Sequence, residues 1–171
     1  MTDKRRTVYN RGMVSAVFPG SFDPPTYGHL NVIERASALF DTIDVLVSVN
    51  PGKQSLFSAD ERVSLLKEMT KGFKNVQVHS CGTLVVEYAR KVGAKALLRG
   101  IRNANDFAYE FDLALVNRSL NDGVETVFIP TEPKFFSVRS SAIKELAGYG
   151  GDVGKMVPPV VEEALKKKFN K

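Results

Sequence analysis

Residues 14–29 read Val-Ser-Ala-Val-Phe-Pro-Gly-Ser-Phe-Asp-Pro-Pro-Thr-Tyr-Gly-His. The apolar run at residues 14–18 is typical of a short buried strand, and the turn residues after it end that strand. A pattern of apolar residues at helical spacing then covers residues 28–40. The stretch therefore predicts a strand, a loop and a helix, which is the first unit of an α/β fold.

The alternation of strand and helix continues along the chain. Residues 43–49 are β-branched and almost wholly apolar, as in a strand buried on both faces of a parallel sheet. Ser58 and Glu61 form the pattern of a capping box, which predicts a helix start. Further strands are predicted at 76–78, 96–98 and 124–129, and further helices at 84–92, 106–120 and from about 140 and 158. This order predicts a doubly wound α/β fold around a parallel five-stranded sheet. In that fold ligands bind at the carboxyl ends of the strands, here after residues 18, 49, 98 and 129.

The length and composition predict one domain in a reducing compartment. The chain has 171 residues, and we expect a single domain over residues 13–171 after a flexible extension at residues 1–12. Cys81 is the single cysteine, which excludes an internal disulfide. No apolar run approaches the roughly 18 residues that cross a bilayer, and the N-terminus lacks the apolar core of a signal peptide. We therefore expect a cytoplasmic protein with no membrane partner.

The net charge of +5 comes from the two ends of the chain. Residues 1–12 and 161–171 hold eight basic and three acidic side chains, so residues 13–160 are formally neutral. A neutral body lacks the basic surface of a nucleic-acid-binding protein, and we expect no nucleic-acid partner. The lysines near the end of the chain are expected to complement the dipole of a terminal helix.

The loop after the first strand carries the clearest functional signal. A glycine before a helix lets the backbone approach a ligand, and the N–H groups of the first helical turn favour an anion. His29 lies in that turn, although a lone histidine is more often structural than catalytic. The combined pattern is more specific: Gly-Ser-Phe-Asp-Pro at residues 20–24, then Thr-x-Gly-His at residues 26–29. It resembles the signature of the nucleotidylyltransferase superfamily, which implies a Rossmann-like fold and transfer of a nucleotidyl group to a small phosphorylated acceptor.

A second pattern lies at the end of the fourth predicted strand. Two arginines flank a glycine there, and their forked guanidinium groups could hold phosphate oxygens, although two solvated surface arginines would give the same pattern. The run Arg-Gly-x-Arg at 99–102, followed by Asp-Phe-x-Tyr-Glu at 106–110, closely resembles the phosphopantetheine adenylyltransferase family. That family's pattern extends from about residue 14 to residue 169, and includes Val-Asn-Arg at 116–118 and Ser-Ser-x-x-Lys-Glu at 140–145.

The resemblance implies a reaction and its ligands. The protein would transfer the adenylyl group of ATP to 4′-phosphopantetheine, giving dephospho-coenzyme A and pyrophosphate. Such an acceptor is a phosphate monoester with a second pKa of about 6, so it is largely an anionic nucleophile at neutral pH and needs no general base. The resemblance also implies Mg²⁺ held mostly by ATP oxygens, coenzyme A as a further ligand, and a homohexamer.

The resemblance assigns roles to residues at matching positions. Three residues would act at the reaction centre, namely His29, Lys53 and Arg99. Seven would contact ATP, namely Ser21, Phe22, His29, Arg102, Glu110, Ser140 and Ser141. Six would contact the acceptor, namely Ser21, Lys53, Leu84, Val85, Arg99 and Asn117. No residue is implied as a metal ligand.

Three other features receive different interpretations. Arg139 stands where the family usually has a serine, and it could contact phosphate or point to solvent. The glycine-rich run at residues 148–154 looks like a dinucleotide fingerprint, but the third glycine is missing and no strand precedes it, which favours a turn. His79 and Cys81, after the third predicted strand, lack partners at metal-ligand spacing and are predicted to be structural.

Two other functions remain open at this point. The chain could be a sister enzyme that adenylylates nicotinamide mononucleotide or cytidylylates a small alcohol phosphate. It could also be a non-catalytic nucleotide-binding module on the same fold, since a fold does not fix a function. The joint presence of His29, Lys53 and Arg99 favours an enzyme.

Overall fold

A computed structural model describes residues 12–169, so the predicted extension at residues 1–12 lies outside the described part apart from its last residue. Strands and helices alternate along the chain as the sequence predicts. The elements are β1 (Ser15–Gly20), α1 (Tyr27–Ser37), β2 (Thr42–Ser48), α2 (Ala59–Thr70), β3 (Val76–Cys81), α3 (Val85–Lys91), β4 (Ala96–Ile101), α4 (Ala104–Leu120), β5 (Glu125–Pro130), a 3₁₀ turn (Pro133–Phe135), α5 (Ser140–Gly148) and α6 (Pro159–Lys168).

The five strands form one parallel sheet in the order β3-β2-β1-β4-β5. The chain builds outward from β1 to β3 and then crosses to the other side of β1 to build β4 and β5. β1 therefore has β2 on one side and β4 on the other, which is the switch point of a doubly wound sheet. Loops leaving the carboxyl ends of β1 and β4 must diverge there, and they leave a crevice between them.

Apolar side chains cover both faces of the sheet. Helices α1 and α2 close one face, where Phe18, Ile33 and Leu66 belong to one buried cluster. Helix α3 packs on the opposite face against Val17 and Leu97. Alternate residues of β1 thus enter different cores, as a strand buried on both sides requires.

A third core joins the last two helices to α2. Leu65, Ile143 and Leu165 belong to it, and α6 ends in the predicted lysines, which pair with glutamates such as the one at position 61. The glycine-rich run after α5 is a turn in which Gly150 has a φ of 78°, which confirms its interpretation. Within residues 12–169 no helix has the length and apolar character needed to span a membrane.

The main errors of the sequence prediction are at the ends of elements, and α1 stops at Ser37 instead of the predicted residue 40. β3 and β4 each run three residues further than predicted, to Cys81 and Ile101. His79 and Cys81 therefore lie within β3 rather than after it. These last residues lack an apolar pattern, and backbone pairing with β2 and β5 holds them in the sheet. The 3₁₀ turn was not predicted.

Candidate active site

A cavity of about 600 Å³ opens at the carboxyl ends of β1 and β4, at the switch point of the sheet. Residues after all four predicted strand ends contribute to its wall. Nine of the candidate site residues line it: Ser21, Phe22, His29, Lys53, Arg99, Arg102, Glu110, Ser140 and Ser141. Arg139 also lines the cavity and is exposed.

Three candidate residues lie outside this lining, namely Leu84, Val85 and Asn117. Leu84 borders a smaller depression between the start of α3 and the end of α4, together with Leu120 and Asn121. Asn117 lies two turns beyond Glu110 on α4, and a spacing of seven residues puts the two on nearly the same helix face. The stretch of α4 from Glu110 to Leu120 therefore runs from the cavity to the depression.

The N-terminus of α1 holds His29 in one orientation. The Thr26 N–H donates to His29 Nδ1 at 3.0 Å, and the His29 N–H donates to Thr26 Oγ1 at 3.3 Å, so the two residues cap the helix reciprocally. Because Nδ1 is an acceptor, the proton of the neutral imidazole lies on Nε2. Burial lowers the pKa of His29 to about 4, and the nearby Arg102 cation adds to the effect. His29 is thus an uncharged donor at neutral pH.

Arg99 is locked to Glu110 by a forked ion pair. Its Nε donates to Glu110 Oε2 and its Nη2 to Oε1, both at 2.5 Å. Its Nη1 donates to the Pro19 carbonyl oxygen at 3.1 Å. Three of the five guanidinium N–H groups are thereby used, and two remain for a ligand. The contact joins β4, α4 and the end of β1 at the cavity.

Arg102, which also lines the cavity, is held in a similar way. It donates from Nε to Asp106 Oδ2 at 2.7 Å and from Nη2 to Oδ1 at 3.2 Å. Its Nη1 donates to the Val138 carbonyl oxygen at 3.2 Å, which ties the residue after β4 to the segment before α5. Two fixed guanidinium groups facing one cavity suit a polyanionic ligand such as a chain of phosphates.

The start of α5 forms a further wall of the cavity. The Ser140 hydroxyl donates to the Pro24 carbonyl oxygen at 2.9 Å, which fixes the helix start against the loop after β1. Arg139 is the residue at the cap position and makes no side-chain capping bond. The first N–H groups of the helix therefore receive no side-chain cap from Arg139, and such groups favour an anion.

Sequence reasoning assigned no role to Asp23, Arg62 or Lys144, although all three are well placed. Asp23 is 3% exposed, accepts the Leu56 and Phe57 N–H groups at 3.0 and 2.9 Å, and pairs with Lys144 at 2.7 Å. Arg62 is 4% exposed and donates to the Ser21 carbonyl oxygen at 2.7 Å. Asp23 and Lys144 fall inside the motifs quoted above, so those motifs contained a signal for them.

The ion pair shifts the titration of Asp23. Burial by itself raises the pKa of this carboxyl, but the bonds from Lys144 and from the N–H groups of Phe57 and Leu56 outweigh it. The pKa of Asp23 is therefore lowered, and the group is a carboxylate at neutral pH. Among the described residues, no cluster of three or more His, Cys, Asp or Glu residues could hold a metal ion.

Fixed cations and N–H donors around a cavity at the switch point of a doubly wound sheet are typical of a nucleotidylyltransferase-like protein, and comparison with known proteins supports this class. The model of the family described as cytidylyltransferase-like matches residues 17–146. A protein from Caldanaerobacter subterraneus subsp. tengcongensis named phosphopantetheine adenylyltransferase is 51% identical over 91% of this chain and 98% of its own. One of the same name from Desulfosudis oleivorans is 48% identical over 92% and 94%. The chain therefore belongs to the phosphopantetheine adenylyltransferase family.

A solved structure agrees with the fold. A Vibrio parahaemolyticus protein assigned as a nicotinate-nucleotide adenylyltransferase superposes with a TM-score of 0.69 over 90% of this chain and 99% of its own. Its sequence identity is 22%, so the likeness concerns the fold alone. The predicted fold class is confirmed.

Proposed function

We propose that the protein transfers the adenylyl group of ATP to 4′-phosphopantetheine, forming dephospho-coenzyme A and pyrophosphate, as a step of coenzyme A synthesis. The observation that carries the proposal is that a chain about 50% identical to relatives of that name brings nine of its candidate residues to one cavity. The cavity carries fixed cations and neutral donors, which suits two phosphate-bearing ligands meeting there.

The reaction needs positioning more than proton transfer. A phosphate oxygen of the acceptor attacks the α-phosphorus of ATP, a new P–O bond forms, and the bond to the bridging oxygen of pyrophosphate breaks. The leaving group takes that electron pair, and no proton has to move because the acceptor phosphate is largely ionised at neutral pH. The protein then contributes alignment of two anions and stabilisation of charge on the α-phosphate.

The residues divide by their position in the cavity. His29 Nε2 would donate to an α-phosphate oxygen, and Lys53, which lines the same cavity, would neutralise the approaching acceptor phosphate. Arg99 would contact the acceptor side with its two remaining N–H groups, while Glu110 fixes its plane. Arg102, Ser140 and Ser141 would hold the β- and γ-phosphates, and Ser21 and Phe22 would contact the nucleotide from the loop after β1.

The arm of the acceptor would lie along α4. Glu110 and Asn117 share a face of this helix, and the Asn121 side chain near its end donates to the Val86 carbonyl oxygen at 3.4 Å. This contact brings the end of α4 beside the start of α3, where Leu84 and Val85 lie. A pantetheine group extending from the cavity along α4 would reach them, and coenzyme A shares the same group.

Mg²⁺ fits as part of the nucleotide substrate. The two acidic side chains that line the cavity, Asp23 and Glu110, already pair with Lys144 and Arg99. The donor set therefore suits an ion held by the triphosphate oxygens, where it would neutralise charge on the leaving group. We also propose a cytoplasmic location, because the single cysteine suits a reducing compartment.

One helix supports an assembly of several copies, which the resemblance implies is a hexamer. In α4, no residue of the 17 is buried. Its exposed apolar side chains, 42% to 66% exposed, are Phe107, Tyr109, Phe111, Leu115, Val116 and Leu120. A helix with so much exposed apolar surface is typical of a protein interface, and we propose that α4 packs against other copies of this chain.

A panel of acceptors tests the proposed reaction. The purified protein is incubated with Mg²⁺, ATP and one phosphate acceptor at a time, and pyrophosphate release is measured. We expect release with 4′-phosphopantetheine, and none with nicotinamide mononucleotide or glycerol phosphate. Replacing ATP with CTP should abolish it. Release with another acceptor would identify a sister enzyme, and no release with any acceptor would favour a binding module.

A further inference from the structure

The backbone of the loop after β1 is strained at Phe22. Its φ is 48°, in the left-handed region, and it is the single non-glycine residue with a positive φ among those the structure describes. Such a conformation persists where the surroundings require it, and it is common at functional sites. With this backbone conformation the Phe22 side chain is buried, and it is 1% exposed.

The Phe22 ring lies directly against the His29 imidazole. The ring centroids are 4.9 Å apart with an interplanar angle of 69°, an edge-to-face contact. Phe18 supports the other side of the ring at 5.5 Å and 79°. The imidazole is therefore held at two points: the Thr26 N–H fixes Nδ1, and the Phe22 ring fixes the plane.

Gly20 leaves space for this ring. A Cβ at position 20 would lie 2.9 Å from Cζ of Phe22, closer than a Cβ atom approaches its neighbours in proteins, and a tight 3.0 Å from Cε2. The backbone of Gly20 is not in the left-handed region. The glycine is thus required here by the Phe22 ring and not by its own φ.

We propose that Phe22 is a positioning residue for the adenylyl transfer, and that the strained backbone and Gly20 place its ring so that His29 Nε2 faces the reacting phosphate. This inference rests on the proposed function and departs from a role for Phe22 limited to nucleotide contact. Because the ring packs against one side of the imidazole, it shields that side from water, and the Arg102 cation, directly after β4, is the charged group that acts on the imidazole.

The test follows the His29 imidazole by NMR titration in the intact protein. The chain has two histidines, so a His79→Ala variant assigns the signals. In Phe22→Leu we expect the pKa of His29 to rise by at least about one unit toward its ordinary value, because water reaches the imidazole. We also expect kcat to fall on the order of 100-fold while the KM for ATP changes little.

Phe57→Leu is the matched control, because Phe57 is 2% exposed and lies in a different core. It should lower the melting temperature by a similar amount and leave the titration of His29 unchanged. If Phe22→Leu also leaves the titration unchanged and lowers kcat no more than Phe57→Leu, the proposal is wrong. The titration needs no turnover, so this result is separate from failure of the acceptor panel.

Gly20→Ala provides a second variant and a double-mutant cycle. If Gly20 is needed for the ring, the alanine alone should shift the His29 pKa upward, and it should add little in a Phe22→Leu background. Additive losses of kcat in the double variant would contradict the proposal. A loss of ATP affinity in Gly20→Ala with an unchanged His29 titration would also contradict the proposal. It would mean that the glycine is needed for close approach of the ligand to the backbone.

Discussion

His29 is an uncharged donor in a cavity whose other strong donors are cations. Its pKa of about 4 keeps it neutral through the physiological range. Lys53, Arg99 and Arg102 attract phosphates over a distance, whereas a neutral imidazole adds a directed hydrogen bond without adding charge. A donor of that kind stabilises the transition state most where the α-phosphate oxygen gains charge, so its effect should fall on turnover rather than on binding.

His29→Ala should therefore lower kcat by about 100- to 1000-fold, the usual effect of removing one fixed donor, and change the KM for ATP little. Steady-state kinetics with 4′-phosphopantetheine saturating measures both. His79→Ala is the matched control, because the other histidine lies on β3 and bonds Asp44 instead. Turnover near that of the unmodified protein in His29→Ala would remove His29 from the mechanism.

Arg99→Lys keeps the charge but loses the fork that grips Glu110. A lysine cannot make the two parallel bonds to the carboxylate and also reach the Pro19 carbonyl oxygen, so the cation would lose its fixed position. We expect kcat/KM for the acceptor to fall about 10- to 100-fold, with both constants affected. Arg35→Lys, an exposed change on α1, should leave both constants unchanged. Unaltered kinetics in Arg99→Lys would mean that Arg99 acts only as a surface cation.

At the scale of elements, the loops after β1 and β2 and helix α5 meet at Asp23. Its carboxylate accepts from the segment after β2 and from Lys144 on α5, while it is itself part of the loop after β1. Lys53 stands three residues before Leu56, so this carboxylate also limits where the Lys53 segment can lie. Buried and fully bonded, it holds three separate segments of chain in one geometry.

Asp23→Asn should lower the free energy of unfolding by about 2 kcal/mol at neutral pH, because an amide nitrogen would face Lys144 or a backbone N–H. The pKa of Asp23 is lowered in the folded protein, so on acidification the unfolded chain binds this proton first. The stabilisation is present above about pH 4 and is lost as pH falls through the folded pKa. Urea unfolding at several pH values should show the free energies of unfolding of Asp23→Asn and the unmodified protein converging in acid. The exposed Asp122→Asn should match the unmodified protein at every pH.

The sequence predicted the elements well and the contacts between distant elements poorly. The loop at residues 19–29 was recognised because turn residues, a glycine before a helix and a known motif mark it locally, and parallel strands bring such loops to one edge. The ion pair of Asp23 with Lys144 spans 121 positions, and the strain at Phe22 depends on the space above Gly20. Neither leaves a periodic signal, because both follow from tertiary packing.

At the scale of the molecule, the cavity and the exposed face of α4 have different proposed roles: the cavity binds ligands, and the face of α4 contacts other copies of the chain. The nine candidate residues that line the cavity are brought together by the fold of the chain itself. Helix α4 contributes Glu110 to the cavity and leaves most of its apolar side chains to solvent. Helix α4 therefore connects the cavity to the surface that we propose as the contact between copies.

A charge on that surface should separate the copies. Leu115 is 55% exposed on α4, and Leu115→Glu would place a carboxylate in an apolar interface, where an unpaired charge is costly. Light scattering should give about 113 kDa for the unmodified protein, six times the 18.8-kDa chain, and a smaller mass for the variant. Leu39→Glu, a change at a residue that is 58% exposed after α1, should keep the larger mass. The variant should still bind ATP, because its cavity is intact. Equal masses for both variants, or a monomeric unmodified protein, would show that α4 is not the contact between copies.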